Sequence, residues 1–232
     1  MRVTAGHLLG GRLRYAQPAD GYRTGIEPVL LAAAIPALPG ERVLEAGTGA
    51  GAGLMCLAAR VPGMAGTGVE IDPAMAELAR QNLAANGLAG FEVVTADIRA
   101  YAGVGFDHAF ANPPWHDPGS TPSPLERRRL AKQGSALEDW IAALARSLRQ
   151  GGTLTLILPV GLAGRAAPSM RRAGLETAQI IPLIPKQGKQ AKLALITSAP
   201  AIDPGIVLHE ADGAFTPAIE AVLRHGAALP IR

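Results

Sequence analysis

Short apolar runs alternate along the chain with longer stretches whose apolar residues recur at helical spacing. The runs predict seven strands, at 43–46, 67–71, 91–95, 106–111, 153–158, 177–183 and 191–198. The longer stretches predict helices between the strands, at 51–60, 73–86, 137–148 and 162–173. Because each buried parallel strand needs a crossover helix to return, we expect an α/β fold with a doubly wound, mostly parallel seven-stranded sheet.

Both ends of the chain fall outside this alternation. We expect an N-terminal extension over residues 1–40 that packs over the cofactor site, a Rossmann-like main domain over 41–200 and a C-terminal appendage over 201–232 with one helix near 216–224. Of the 232 residues, 48% are apolar and 18% are charged, which excludes a disordered protein. A single cysteine, Cys56, and the lack of a signal-like or membrane-spanning apolar segment predict a cytoplasmic protein without disulfides.

A glycine-rich loop joins the first predicted strand to its helix, in the sequence Glu45-Ala46-Gly47-Thr48-Gly49-Ala50-Gly51. Such a loop lets the backbone approach a ligand and presents free N–H groups at the start of the helix. Glu70 ends the next strand, about 20 residues further on, where a carboxylate can accept both hydrogen bonds of a ribose diol. Asp97 follows the third strand, where it can accept from an adenine amino group. These features predict a ligand that contains adenosine.

The loop alone leaves two ligand classes open. Gly47, Gly49 and Ala52 satisfy the G-x-G-x-x-A spacing of a nicotinamide dinucleotide site. Glu45 favours S-adenosylmethionine instead, because a carboxylate just before the loop would repel a pyrophosphate and would suit ammonium and sulfonium charges. A third alternative is that the acids at the strand ends only cap the helices that follow.

The sequence Asn112-Pro113-Pro114-Trp115 follows the fourth predicted strand, at the sheet edge where the glycine loop lies. Two prolines restrict the backbone, so the side-chain oxygen of Asn112 and the carbonyl of Pro113 can act as two convergent acceptors beside a flat tryptophan wall. Two acceptors fit a planar NH₂ group. Orienting its nitrogen toward a methyl donor is catalysis by positioning, which needs neither a metal nor a covalent nucleophile.

Together these motifs resemble those of the class I S-adenosylmethionine-dependent amino-methyltransferases, which have a Rossmann-like fold. The segment 17–32, which contains Glu27, resembles the N-terminal signature of the bacterial valine-tRNA adenine-N6 methyltransferases, as do Pro185-Lys186 and Phe215-Thr216. The resemblance implies a catalytic turn formed by Asn112, Pro113, Pro114 and Trp115. It implies that the cofactor is bound by Tyr22, Arg23, Glu45, Gly47, Gly49, Gly51, Glu70, Ile71, Asp97 and Ile98.

The charge distribution favours a polyanionic partner. The net charge is only +3, but residues 140–202 contain eight basic residues and one acidic residue. Two triplets are therefore candidates for contact with RNA phosphates, or alternatively for ordinary solvated surface: Arg127, Arg128 and Arg129, and Lys186, Lys189 and Lys192.

The sequence predicts a methyltransferase that acts on the exocyclic N6 of an adenine in tRNA. The alternatives are N-methylation of a protein glutamine or of another nucleic acid, and a non-catalytic RNA-binding protein that retains a vestigial cofactor site. His116 as a proton acceptor is less favoured than water, because the amino proton becomes acidic after methylation.

Overall fold

The computed structural model describes residues 1–20, 23–114, 137–175, 177–200 and 205–230, and within them the chain forms ten strands and six helices. The strands are β1 (Val3–Leu8), β2 (Leu13–Pro18), β3 (Arg42–Ala46), β4 (Ala65–Glu70), β5 (Phe91–Thr95), β6 (Phe106–Ala111), β7 (Leu148–Pro159), β8 (Gln179–Lys186), β9 (Leu193–Thr197) and β10 (Ile206–His209). The helices are α1 (Glu27–Ala34), α2 (Ala52–Arg60), α3 (Pro73–Ala85), α4 (Leu137–Ser147), α5 (Val160–Arg172) and α6 (Pro217–His225).

Strands β3 to β10 form one sheet in the order β10-β8-β9-β7-β6-β3-β4-β5. Strand β9 pairs antiparallel with β7 and β8, and every other pairing in this sheet is parallel. The chain order reverses between β3 and β6, which is the kind of switch point at which doubly wound sheets bind ligands. The predicted fold class is confirmed, with β10 as an eighth strand beside the seven that were expected.

Apolar side chains from helices on the two faces of the sheet form two separate cores. One core contains Leu54 of α2 and Leu78 of α3, together with residues of α1, α6 and the N-terminal segment. The other contains Ile141 of α4 and Met170 of α5. Cores on both faces require strands that are apolar on both sides, which explains the nearly continuous apolar runs in the sequence.

Helix α3 shows how local sequence sets an element that positions the site. The carboxylate of Asp72 caps the helix by accepting from the backbone N–H groups of Ala74 at 2.9 Å and Met75 at 3.4 Å. Pro73 occupies the first turn, where its missing N–H costs nothing. The helix ends before Gly87, whose φ of 68° suits a residue without a side chain. These signals predicted the observed start and an end within one residue.

The two ends of the chain contain structure that the hydrophobic pattern did not predict. Strands β1 and β2 form an antiparallel hairpin, which packs against α3 and α6. The C-terminal appendage adds β10 to the edge of the sheet beside β8, and its helix α6 lies where 216–224 was expected. None of the helices in the described part of the chain has the length and apolarity that a membrane span would need.

Candidate active site

The glycine loop lies at the carboxyl end of β3 and is bonded to the neighbouring strand. The N–H of Gly47 donates to the carbonyl of Val69 at 2.8 Å, and the N–H of Gly51 donates to the carbonyl of Thr48 at 2.8 Å. Gly47 has φ +66°, and a Cβ built on it would lie 2.9 Å from Cη2 of Trp140. A larger residue would therefore be strained and would collide with the indole, so the loop needs glycine there.

A cavity lies at this edge of the sheet. It is lined by Gly47, Val69, Glu70, Ile71, Ala96, Asp97, Ile98 and Trp140. Five of these residues were predicted to bind the cofactor. The structure thus brings together the glycine loop and the ends of β4 and β5, as the order of parallel strands requires.

Trp140 is the lining residue that the sequence reasoning missed. It lies in the first turns of α4, is 6% exposed and packs against Gly47. Periodicity alone marks it as a core residue. A second signal was present, because the first turn of a crossover helix after β6 lies close to the carboxyl edge of the sheet, where the ligand site forms.

The carboxylate of Glu70 already accepts two hydrogen bonds from backbone N–H groups. The side chain is 6% exposed, with Oε2 accepting from the N–H of Gly49 at 2.9 Å and Oε1 accepting from the N–H of Asp72 at 2.9 Å. An ionised carboxylate offers about four acceptor positions, so two remain for a ligand. Glu70 can therefore hold the loop and accept from a ribose diol at the same time.

Asp97 lines the cavity, but its carboxylate is paired with Arg99. The guanidinium donates through Nε to both carboxylate oxygens at 3.0 Å, and through a terminal nitrogen to Oδ2 at 2.5 Å. This hydrogen bonding lowers the pKa of Asp97 below its ordinary value. A bond from an adenine amino group to this carboxylate would require Arg99 to shift, so the direct role expected of Asp97 stays a prediction.

Glu45 lies beneath the loop rather than in the cavity wall. It is buried, and Oε2 accepts from the hydroxyl of Thr48 and from the N–H of Leu54, the latter at 3.2 Å. Burial raises the pKa of Glu45 to about 7, against the opposing effect of these hydrogen bonds. Glu45 thus holds the loop, and its expected direct contact with the cofactor's charges stays a prediction.

The predicted acceptor turn leaves the sheet beside the glycine loop. Strands β3 and β6 pair in parallel with Ala46 opposite Ala111, so Gly47 and Asn112 follow directly opposed residues. Asn112 is half-buried, Pro113 is buried and Pro114 is exposed. The turn and the loop are therefore about one strand spacing apart where they begin, which is roughly 4.8 Å. Trp115 lies outside the described residues.

The sequence model of the family described as methyltransferase small domain matches residues 27–173, more than half of the chain. The chain belongs to the methyltransferase small domain family. It is accordingly an S-adenosylmethionine-dependent methyltransferase, and the cofactor predicted from the glycine loop is confirmed.

Two relatives of this methyltransferase are named tRNA1(Val) (adenine(37)-N6)-methyltransferase. The protein from Bacteroides thetaiotaomicron is 31% identical over 180 residues, which cover 75% of this chain and 76% of the relative. The protein from Aeromonas hydrophila is 29% identical over 203 residues, which cover 84% of this chain and 85% of the relative. The resemblance inferred from the sequence motifs is therefore confirmed.

Solved structures confirm the class I methyltransferase fold. A predicted O-methyltransferase from Agrobacterium tumefaciens is 26% identical and superposes with a TM-score of 0.69 over 88% of this chain and 98% of that one. A precorrin-6y C5,15-methyltransferase from Geobacter metallireducens, at 16% identity and a TM-score of 0.55, covers 79% of this chain and 91% of that one. The second likeness shows the fold alone.

The lining of the cavity has the chemistry that the adenosine part of the cofactor would need, and binding there stays a prediction. Ile71, Ile98 and Trp140 supply apolar walls, and Glu70 supplies acceptors at the rim. Within the described residues, no group of three or more His, Cys, Asp or Glu side chains could hold a metal.

The remaining predicted residues differ in how far the structure describes them. Tyr22 and the triplet Arg127, Arg128 and Arg129 lie outside the described residues, so their roles stay predictions. Arg23 is exposed and does not line the cavity.

The lysine triplet lies in and after the end of β8. Lys186 is half-buried, whereas Lys189 and Lys192 are exposed in the connection to β9. Because β8 runs in the same direction as β7 and β6, these lysines lie at the same edge of the sheet as the cofactor cavity.

Proposed function

We propose that this enzyme transfers a methyl group from S-adenosylmethionine to the exocyclic N6 of an adenine in tRNA. The observation that carries the proposal is the pairing of Ala46 with Ala111, which starts the Asn112-Pro113-Pro114 turn beside the glycine loop. A turn that can accept two hydrogen bonds thus begins next to the loop of the methyl donor's site. The relatives named as tRNA adenine-N6 methyltransferases support the same acceptor.

The side chain of Asn112 and the carbonyl of Pro113 would accept the two protons of the amino group. These hydrogen bonds favour a pyramidal nitrogen, whose lone pair is otherwise delocalised into the ring, and they aim it at the reacting carbon. The bound cofactor supplies an electrophilic methyl group on sulfur. As the new N–C bond forms the C–S bond breaks, and the surplus amino proton passes to water, so no side-chain base is required.

A tRNA acceptor also fits the placement of the lysines. In the sheet order, β8 is three strands from β6, or roughly 14 Å at the usual strand spacing. Lys186, Lys189 and Lys192 could therefore contact phosphates that flank a base held at Asn112. Reading such a base requires it to be unstacked, which costs least in a single-stranded loop. We expect the modified adenine to lie in a tRNA loop rather than a stem.

The test is incorporation of labelled methyl from S-adenosylmethionine into total unmodified tRNA. Nuclease digestion should release the label as N6-methyladenosine, and an Asn112→Ala protein should give none while still binding the cofactor. Label that resists nuclease but is freed by protease as N5-methylglutamine would instead assign a protein acceptor. Binding of tRNA and cofactor without transfer to any acceptor would favour the non-catalytic alternative.

A further inference from the structure

Asn82, on helix α3, joins the N-terminal hairpin to the glycine loop. Its side chain is buried with the residue only 3% exposed. The amide nitrogen donates to the carbonyl of Ala16 in β2 at 2.8 Å and to the carbonyl of Ala50 in the loop at 2.9 Å. The amide oxygen accepts from the N–H of Ala16 at 2.8 Å. Both donor hydrogens of the amide are therefore used, one toward the hairpin and one toward the loop.

Asn86, the residue directly after the C-terminal end of α3, makes a related contact without touching the loop. Its amide oxygen accepts from the N–H of Arg14 at 2.9 Å, and its nitrogen donates to the carbonyl of Arg14 at 2.8 Å. Its second donor hydrogen goes to the carbonyl of Asn82 at 2.7 Å, within the same helix. The two asparagines thus dock the same strand by the same type of bond, and only one of them reaches the cofactor loop.

We propose that Asn82 is a positioning residue for the cofactor loop, which couples docking of the hairpin to the conformation in which residues 47–51 bind S-adenosylmethionine. Ala50 is itself buried, so loss of the bond from Asn82 would leave its carbonyl without that partner, away from water. The carbonyl of Ala50 could then find another hydrogen-bond donor only if the loop changed its conformation. The proposal concerns the cofactor half of the site and does not depend on which acceptor the enzyme methylates.

Binding of S-adenosylhomocysteine measured by calorimetry tests this for wild type, Asn82→Ala and the matched control Asn86→Ala. We expect affinity to fall about tenfold in Asn82→Ala, the effect of one buried hydrogen bond on an element of the site, and to stay within about twofold of wild type in Asn86→Ala. Equal losses in the two variants would show that the bond from Asn82 to Ala50 adds nothing to hairpin docking, and would overturn the assignment of Asn82 as the positioning residue. Unchanged affinity in Asn82→Ala would overturn it as well.

Hydrogen exchange is a second measurement, and it separates a role of Asn82 at the loop from a general role in hairpin docking. Both variants should lose protection in residues 13–18 of the hairpin, but only Asn82→Ala should lose it in residues 47–51. Since coupling between sites is reciprocal, S-adenosylhomocysteine should slow exchange in the wild-type hairpin and should have less effect there in Asn82→Ala. If S-adenosylhomocysteine leaves hydrogen exchange in the wild-type hairpin unchanged, the coupling is contradicted.

Should Asn82→Ala fail to fold, Asn82→Asp keeps the shape and the acceptor for Ala16 while removing both donors. The same comparison with Asn86→Asp then applies. A weaker affinity confined to Asn82→Asp supports the proposal, and equal affinities in the two variants contradict it.

Discussion

Replacing Glu45 by glutamine should make the stability of the protein less dependent on pH. Burial raises the pKa of this carboxyl from its ordinary 4.5 to about 7 in the folded protein. The folded state therefore holds a proton that the unfolded chain has released, at every pH between these two values. The contribution of this group to stability is fully present below the unfolded pKa and is lost as pH rises through 7.

The size of the effect follows from the shift. The difference between the pKa of Glu45 in the folded and in the unfolded protein, at about 1.4 kcal/mol for each pKa unit, corresponds to about 3 kcal/mol of stability in total. Between about pH 5 and about pH 8, the free energy of unfolding of wild type should fall by about 2–3 kcal/mol more than that of Glu45→Gln. Glutamine keeps an oxygen that can accept from Thr48 and Leu54, so the variant preserves the loop contacts while removing the titration.

Urea denaturation of both proteins across this pH range is the direct assay. All other titrating groups are shared, so their contributions cancel in the difference between the two stability curves. Glu77→Gln, at an exposed position on α3, controls for the general effect of removing one negative charge. If the curves of wild type and Glu45→Gln stay parallel from about pH 5 to about pH 8, the buried carboxyl does not titrate as argued and the reasoning fails.

Three further perturbations separate the parts of the site. Asn112→Ala should abolish methyl transfer, counted with labelled cofactor, while affinity for S-adenosylhomocysteine stays within about twofold because the role proposed for the amide is to bind the acceptor. Trp140→Ala should weaken that affinity about tenfold, whereas Trp140→Phe, which keeps an aromatic wall against the loop, should retain most of it in calorimetry. Charge reversal at Lys186, Lys189 and Lys192 should weaken tRNA binding and flatten its dependence on salt by about 0.9 per lost phosphate contact; an unchanged slope would leave these lysines as solvated surface.

The central elements were predictable because their signals are local. Strands β5 and β6 were predicted to the residue, since each is a short, mostly apolar segment bounded by turn residues. The cavity-lining positions Glu70 and Asp97 followed from strand order, because the carboxyl ends of neighbouring parallel strands meet at one edge. Ile71 and Ile98 followed from the resemblance to the amino-methyltransferases. Sequence reasoning works here because topology, not side-chain detail, brings these residues together.

Other features depend on tertiary contacts that no local pattern encodes. Strand β1 alternates exposed and half-buried residues, with no apolar run to mark it, and its hairpin is held by amides of the distant helix α3. Strand β10 has only four residues. Likewise, the pattern could not show that Asp97 turns toward Arg99, or that Trp140 forms a wall of the cavity rather than only part of the core.

The glycine loop is bonded by side chains of three different elements. Glu45 of β3 accepts from the hydroxyl of Thr48, Glu70 of β4 accepts from the N–H of Gly49, and Asn82 of α3 donates to the carbonyl of Ala50. A chain of glycines would otherwise lose much conformational entropy on binding a ligand. Because these bonds already order the loop, that cost is met during folding rather than on binding. Glu45 and Glu70 therefore order the loop, and a substitution that removes the acceptor oxygens of either acid should alter the loop as well as the charge of the site.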